Sequence, residues 1–135
     1  MREILFRGKR IDNGEWEFGW YEMTPYSRWP LKPTIIPAQK AHEGHYEHVE
    51  VDPATVGQFT GLLDKNGYKI FEGDIVQYYG TYALEVFIEK GHTKVRWFDA
   101  VTNTKYAQLF FDSDEELGEC EVIGNIHDDP ELLEG

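Results

Sequence analysis

Residues 6–20 read FRGKRIDNGEWEFGW, and the last five of them decide the fold class. Trp16, Phe18 and Trp20 alternate with Glu17 and Gly19. A period of 2 is the side-chain spacing of a β-strand, so three aromatic rings are expected on one face of one strand. Ahead of it, Ile4, Leu5 and Phe6 form a short apolar run that reads as the partner strand. Between the two lies Asp12-Asn13-Gly14, residues that tolerate the positive φ of a tight hairpin turn. The chain therefore opens with a β-hairpin.

From residue 24 to residue 53 the character changes. Pro25, Pro30, Pro33, Pro37 and Pro53 are five of the six prolines. They exclude a helix and confine strands to short or edge positions, here 31–36 and 46–51. After Pro53 the rhythm is regular. Strands are expected at 56–59, 68–71, 75–79, 84–89, 95–98 and 120–126, with turns at 64–67, 72–74 and 91–92. Residues 106–111 fit a strand or a short helix, and 130–133 fit one helical turn. Short strands at spacings of roughly ten residues describe a small barrel or curled sheet. The expected architecture is mainly β: an N-terminal β-hairpin with a proline-rich connecting segment over 1–52, and a small barrel-like β lobe over 53–135 that ends in a short helical turn.

The 135 residues are 41% hydrophobic and 15% aromatic, enough for a packed core. Lys and Arg number 13 against 25 Asp and Glu, a formal charge of -12. That excludes a general binder of phosphate backbones, so nucleic acid is not expected as a broad ligand. The charge is uneven. Ten of the acids lie between Asp112 and Gly135, where there is no Lys or Arg, leaving 15 acids against 13 bases before them. The start is locally basic, with Arg2, Arg7, Lys9 and Arg10 against Glu3. An acidic end of this kind is a solvated surface or a contact for a basic one, the N-terminal strand of a neighbouring copy included. No apolar run nears the roughly 18 residues that cross a bilayer, and no stretch has the form of a signal peptide. A soluble cytoplasmic protein with no membrane partner is expected.

Few residues suggest chemistry. His42, His45 and His48, interleaved with Glu43, Glu47 and Glu50, are the right donors for zinc, manganese or iron. Gly44 and the flanking prolines argue against a helix, and on a strand a spacing of three puts neighbours on opposite faces. An exposed polar loop is the competing reading. Asp112-x-Asp114-x-Glu116 resembles the start of a calcium loop, but Leu117 and Ile123 stand where Gly and Glu are required. Phosphate-loop, dinucleotide and nucleophile-elbow patterns are absent, and Ser27 and Ser113 are the only serines. Cys120 has no second cysteine to pair with. Glu119 and Glu121 beside it disfavour a thiolate, so it reads as structural. No catalytic or cofactor-binding residue emerges, and no cofactor is implied. The aromatic surplus suits core packing, an interface, or a stacking surface for nucleobases, which would also need a basic track.

Residues 55–77, TVGQFTGLLDKNGYKIFEGDIVQ, and 122–133, VIGNIHDDPELL, resemble the YopX-like family of bacteriophage and prophage proteins, as does the hairpin at 6–20. These cover both ends and the middle of the chain; residues 24–50 and 80–118 carry no such motif. The resemblance implies a mostly β protein with a barrel-like C-terminal lobe, encoded by a phage or prophage, acting in the bacterial host cell and self-associating. It supplies no catalytic residue, and its glycines and the Pro130-Glu131-Leu132-Leu133 turn read as scaffold. The sequence thus points to a β-rich binding or assembly module, homo-oligomeric, with a host or phage protein as a further candidate partner. Two other readings stay open. One is a nucleic-acid-related role, by a barrel face that takes single strands or an acidic surface that mimics nucleic acid. The other is a metal-dependent enzyme built on His42, His45 and His48.

Overall fold

A computed structural model describes residues 4–24, 32–38, 48–78, 82–99, 104–110 and 120–134. By its internal contacts the chain divides into two compact units, Glu3–Phe59 and Thr60–Gly135. The division expected from sequence was at 52/53.

In the first unit, β1 (Phe6–Lys9) and β2 (Trp16–Thr24) form the opening hairpin. β3 (Lys32–Pro37) and β4 (Val49–Glu50) extend it in the order β4-β3-β2-β1, all antiparallel. The start of β5 (Gly57–Leu63) pairs with the far side of β1 through Arg7↔Gly57. β1 runs through Arg7 and Lys9 rather than stopping at the apolar residues. Both cations rest on the Trp16 ring, Arg7 at 4.6 Å and Lys9 at 5.5 Å from its centroid, which lets charged residues occupy strand positions. Ile35, Val49 and Val51 are the buried apolar residues of one sheet face. A short 3-10 turn at Pro53–Thr55 is stitched to this sheet: Asp52 accepts from the Ala54 amide at 3.0 Å, and the Thr55 hydroxyl accepts from the Lys9 amide at 2.8 Å. Gly19 permits the β2–β3 pairing, since a Cβ there would strike the Ile36 carbonyl oxygen.

In the second unit, the end of β5 turns back into β6 (Lys69–Phe71). β7 (Asp74–Tyr78), β8 (Tyr82–Glu89), β9 (His92–Asp99), β10 (Thr104–Phe110) and β11 (Cys120–Asn125) form a five-stranded antiparallel sheet in the order β10-β9-β8-β7-β11. The stretch left open between helix and strand is thus strand, paired along β9 with one register shift. Ile70, Val76, Leu84, Val86, Val95 and Cys120 make the core, so the lone cysteine is a buried packing residue.

Polar side chains fix the turns of this unit. Asp64 is buried and accepts three backbone amides: Asn66 at 2.8 Å, Tyr68 at 2.9 Å and Val122 at 3.0 Å. The Thr60 hydroxyl donates to the Ile70 carbonyl at 2.8 Å, and Asp74 accepts from the Phe71 amide at 2.7 Å. At the C-terminal end, the Asn125 side chain accepts from the amides of His127 and Asp128, and Asp129 accepts from the Asn125 amide. The expected helical turn is a 3-10 turn at Pro130–Glu134. It lies so close to Gly124 that a Cβ there would come within 2.6 Å of Asp129 and 2.9 Å of Leu132.

The mainly-β architecture is as the sequence implies, with both sheets antiparallel. Closure of the second sheet into a barrel is not seen among the described residues. β10 and β11 end the strand order without pairing with each other. The outer edge of β11 is occupied by the 64–68 turn instead: the Lys65 amide donates to the Cys120 carbonyl at 2.9 Å, beside the Asp64–Val122 bond. A paired turn does what a neighbouring strand would do, satisfying the edge groups.

Candidate binding face on the N-terminal hairpin

The register of β1, β2 and β3 puts Trp16, Phe18, Trp20 and Glu22 on the same face as Arg7, Lys9, Thr34 and Ile36. The cross-strand partners are Arg7↔Phe18, Lys9↔Trp16, Trp20↔Ile36 and Glu22↔Thr34. The opposite face carries Gly19, Tyr21, Ile35 and Pro37, and there Ile35 is fully buried. Along β2 the aromatic face is open, while Thr34 on β3 is fully buried. Phe18 is 43% and Trp20 45% exposed, although each has a covered neighbour: Arg7 at 8% beside Phe18, and Ile36 at 8% beside Trp20. Large rings left in water on a well-packed sheet are the signature of a contact surface rather than of a core.

Charge is graded along this face. At the Trp16 end stand Arg7 and Lys9, both over the indole. Beyond Trp20 stands Glu22, with the His48 imidazole 3.6 Å from its carboxylate. Lys32 and Glu50 pair at 3.6 Å farther out. Arg10 is committed elsewhere, held by Asp12 at 2.9 Å and Glu17 at 3.2 Å. The Arg10 guanidinium keeps the Asp12 carboxyl below the usual carboxylate range, chiefly by its side-chain hydrogen bond.

The sequence singled out the three rings, and the structure brings them to one face. Lys9, Glu22 and Ile36 escaped notice as members of it. Their signal is the pairing register, which could not be set until the end of β1 was known. Of the histidine cluster, His42 and His45 lie outside the described residues. His48 contacts Glu22, and among the described residues no three His, Cys, Asp or Glu side chains come together as a metal site. The Asp112-x-Asp114-x-Glu116 stretch also lies outside the described residues. In the acidic end, Asp128 and Asp129 are engaged in the Asn125 turn, and Glu121 lies 3.6 Å from Lys65.

A second charged cluster sits in the second unit, where Arg96 donates to Glu85 at 2.8 Å and its guanidinium lies 4.4 Å over the Phe87 ring. The Glu85 hydrogen bond raises the Arg96 pKa, so this guanidinium stays charged and paired. It ties β8 to β9 on one sheet face.

The profile of the family described as YopX protein matches residues 6–134. The chain belongs to the YopX family. The YopX match includes every residue of the aromatic face and every polar pin named above. A solved relative, the crystal structure of protein EF1440 from Enterococcus faecalis, is 25% identical with a TM-score of 0.56, covering 98% of this chain and 99% of that one. No curated protein matches the chain. The stretches that carry the YopX resemblance thus have structural work assigned to them. Thr55, Thr60, Asp64 and Asp74 fix turns, and Asn125 and Asp129 fold the terminal one. Among the described residues, no helix is long and apolar enough to cross a membrane.

Proposed function

We propose that this YopX-family chain is a phage- or prophage-encoded accessory protein that acts by binding and assembly in the cytoplasm of the bacterial host. It forms homo-oligomers and contributes no catalysis of its own. The observation that carries this reading is the outward placement of Phe18 and Trp20 side by side on one face of β2. Two rings of this size left in water cost free energy that a partner would recover. The polar groups of the family motifs favour the same reading, because backbone amides take up their acceptor positions. Light scattering on size-exclusion peaks at micromolar concentration tests it. A multiple of the 15.7 kDa chain mass is expected, and a strict monomer overturns self-association.

Arg7 and Lys9 beside the rings favour a second reading, in which the face stacks unpaired nucleobases. Such binding would weaken steeply with salt, so a titration of a labelled oligonucleotide at low salt separates the two.

A further inference from the structure

We infer that the aromatic face of β2 receives the same face of a second copy of this chain, packed about a two-fold axis that passes beside Gly19. The inference rests on the self-association proposed above and names its surface. The face is ordered along one strand: Trp16 with Lys9 and Arg7 over it, then Phe18, then Trp20, then Glu22. Side chains two apart on a strand are about 7 Å apart, so the series spans about 20 Å from cationic end to anionic end. A two-fold contact is isologous: the patch must complement itself. Centred at Gly19, the axis reverses the series. Phe18 then meets Trp20 of the partner subunit, and Lys9 at one end meets Glu22 of the partner subunit. Each aromatic contact and each charge contact occurs twice. A two-fold axis along the strands would instead pack them in the same direction and set Lys9 on Lys9 and Glu22 on Glu22, so the charge order selects the axis that runs across the strands.

The same features disfavour a nucleic-acid strand as the occupant. Arg7 is only 8% exposed and lies against Trp16, so a phosphate chain would not reach its guanidinium. Glu22 at the far end would repel the phosphates that Lys9 attracts. A surface with Lys9 near one end and Glu22 near the other fits a copy of itself better than it fits a polyanion.

Charge reversal in the full-length chain tests the inference. K9E and E22K should each raise the dimer dissociation constant about tenfold, because each sets like charges opposite one another at both ends of the contact. The double variant restores the pairs in swapped order and should return to within about threefold of the original. Chemical trapping gives an independent reading. An equimolar mixture of F18C and W20C chains, mildly oxidised, should give the mixed disulfide dimer, whereas each variant alone should give little; Cys120 is buried and does not compete. A parent chain that stays monomeric overturns both the contact and the self-association beneath it. An oligomer indifferent to K9E and E22K leaves self-association standing and overturns this face as its contact. Loss without rescue in the double variant overturns the paired charges. Binding of a thymidine oligonucleotide that disappears in W20S, with the oligomer intact, assigns the face to nucleic acid and overturns the inference.

Discussion

The aromatic hairpin and the family motif of the second unit use their side chains in opposite ways. On β2 the apolar rings of Phe18 and Trp20 face water, whereas in the second unit the carboxylates of Asp64 and Asp74 are buried. Each arrangement looks wrong by polarity alone, and each has a different reason. A buried carboxylate is tolerable when backbone amides saturate it, as three amides do for Asp64. An exposed ring keeps its apolar surface in water, where burial against a partner would lower its free energy. The buried polar groups serve the fold and the exposed rings are the proposed contact, so stability and association should separate under mutation.

The largest effect is expected at Gly19, which belongs to the hairpin but serves the fold. Gly19→Ala drives a methyl into the Ile36 carbonyl and should cost about 4 kcal/mol or more, leaving the first unit unfolded by circular dichroism. If G19A unfolds like the parent, β2 and β3 are not held at this spacing. Next, Asp64→Ala strands the amides of Asn66, Tyr68 and Val122 and should lower stability by about 3 kcal/mol in urea unfolding. Phe18→Ser and Trp20→Ser should behave in reverse, changing the unfolding free energy in urea by less than about 1 kcal/mol while abolishing the oligomer. A large stability loss in W20S would erase the contrast and return the rings to the core.

Two smaller tests sharpen the same contrast on the surface of each hairpin. The β8–β9 turn holds Lys90 at φ 52° and Gly91 at φ 79°, and a lysine is strained there. Lys90→Gly should raise stability by about 0.5–1 kcal/mol without touching the oligomer. Acid dependence is smaller still. Asp12 is depressed by its hydrogen bond to Arg10, and Glu89 by its hydrogen bond to Lys94. A carboxylate lowered in the folded state contributes above its unfolded pKa, near 3.8 and 4.5 for these two, and the contribution is lost as pH falls through the folded value. Both groups are fully exposed, so D12N and E89Q should flatten the acid limb of the stability curve only slightly. A pronounced change would mean that these surface pairs matter to the fold.

Much of the architecture was legible because its signals are local. Alternation in Trp16–Trp20 and in 84–89 gave strands, and Asp64-Lys65-Asn66-Gly67 gave a turn. The end of β1 was not legible, since Arg7 and Lys9 read as surface charge until Trp16 lay beneath them. The barrel expectation met the same obstacle: whether a sheet closes depends on what occupies its edges. Here the Asp64 turn, separated from β11 by more than fifty residues, takes that edge.

By itself the sequence determined that the chain is a mainly-β protein of the YopX family, because side-chain period, turn residues and motif are written residue by residue. Only the tertiary structure decided that Phe18 and Trp20 stand exposed while Trp16 lies under Arg7 and Lys9. Alternation assigns residues to a common face but says nothing of which face is covered, and that is settled by Ile35, Val49 and Val51 filling the other side. It also decided that Lys9 and Glu22 stand at opposite ends of one surface, a placement that exists only once β1 and β2 are in register.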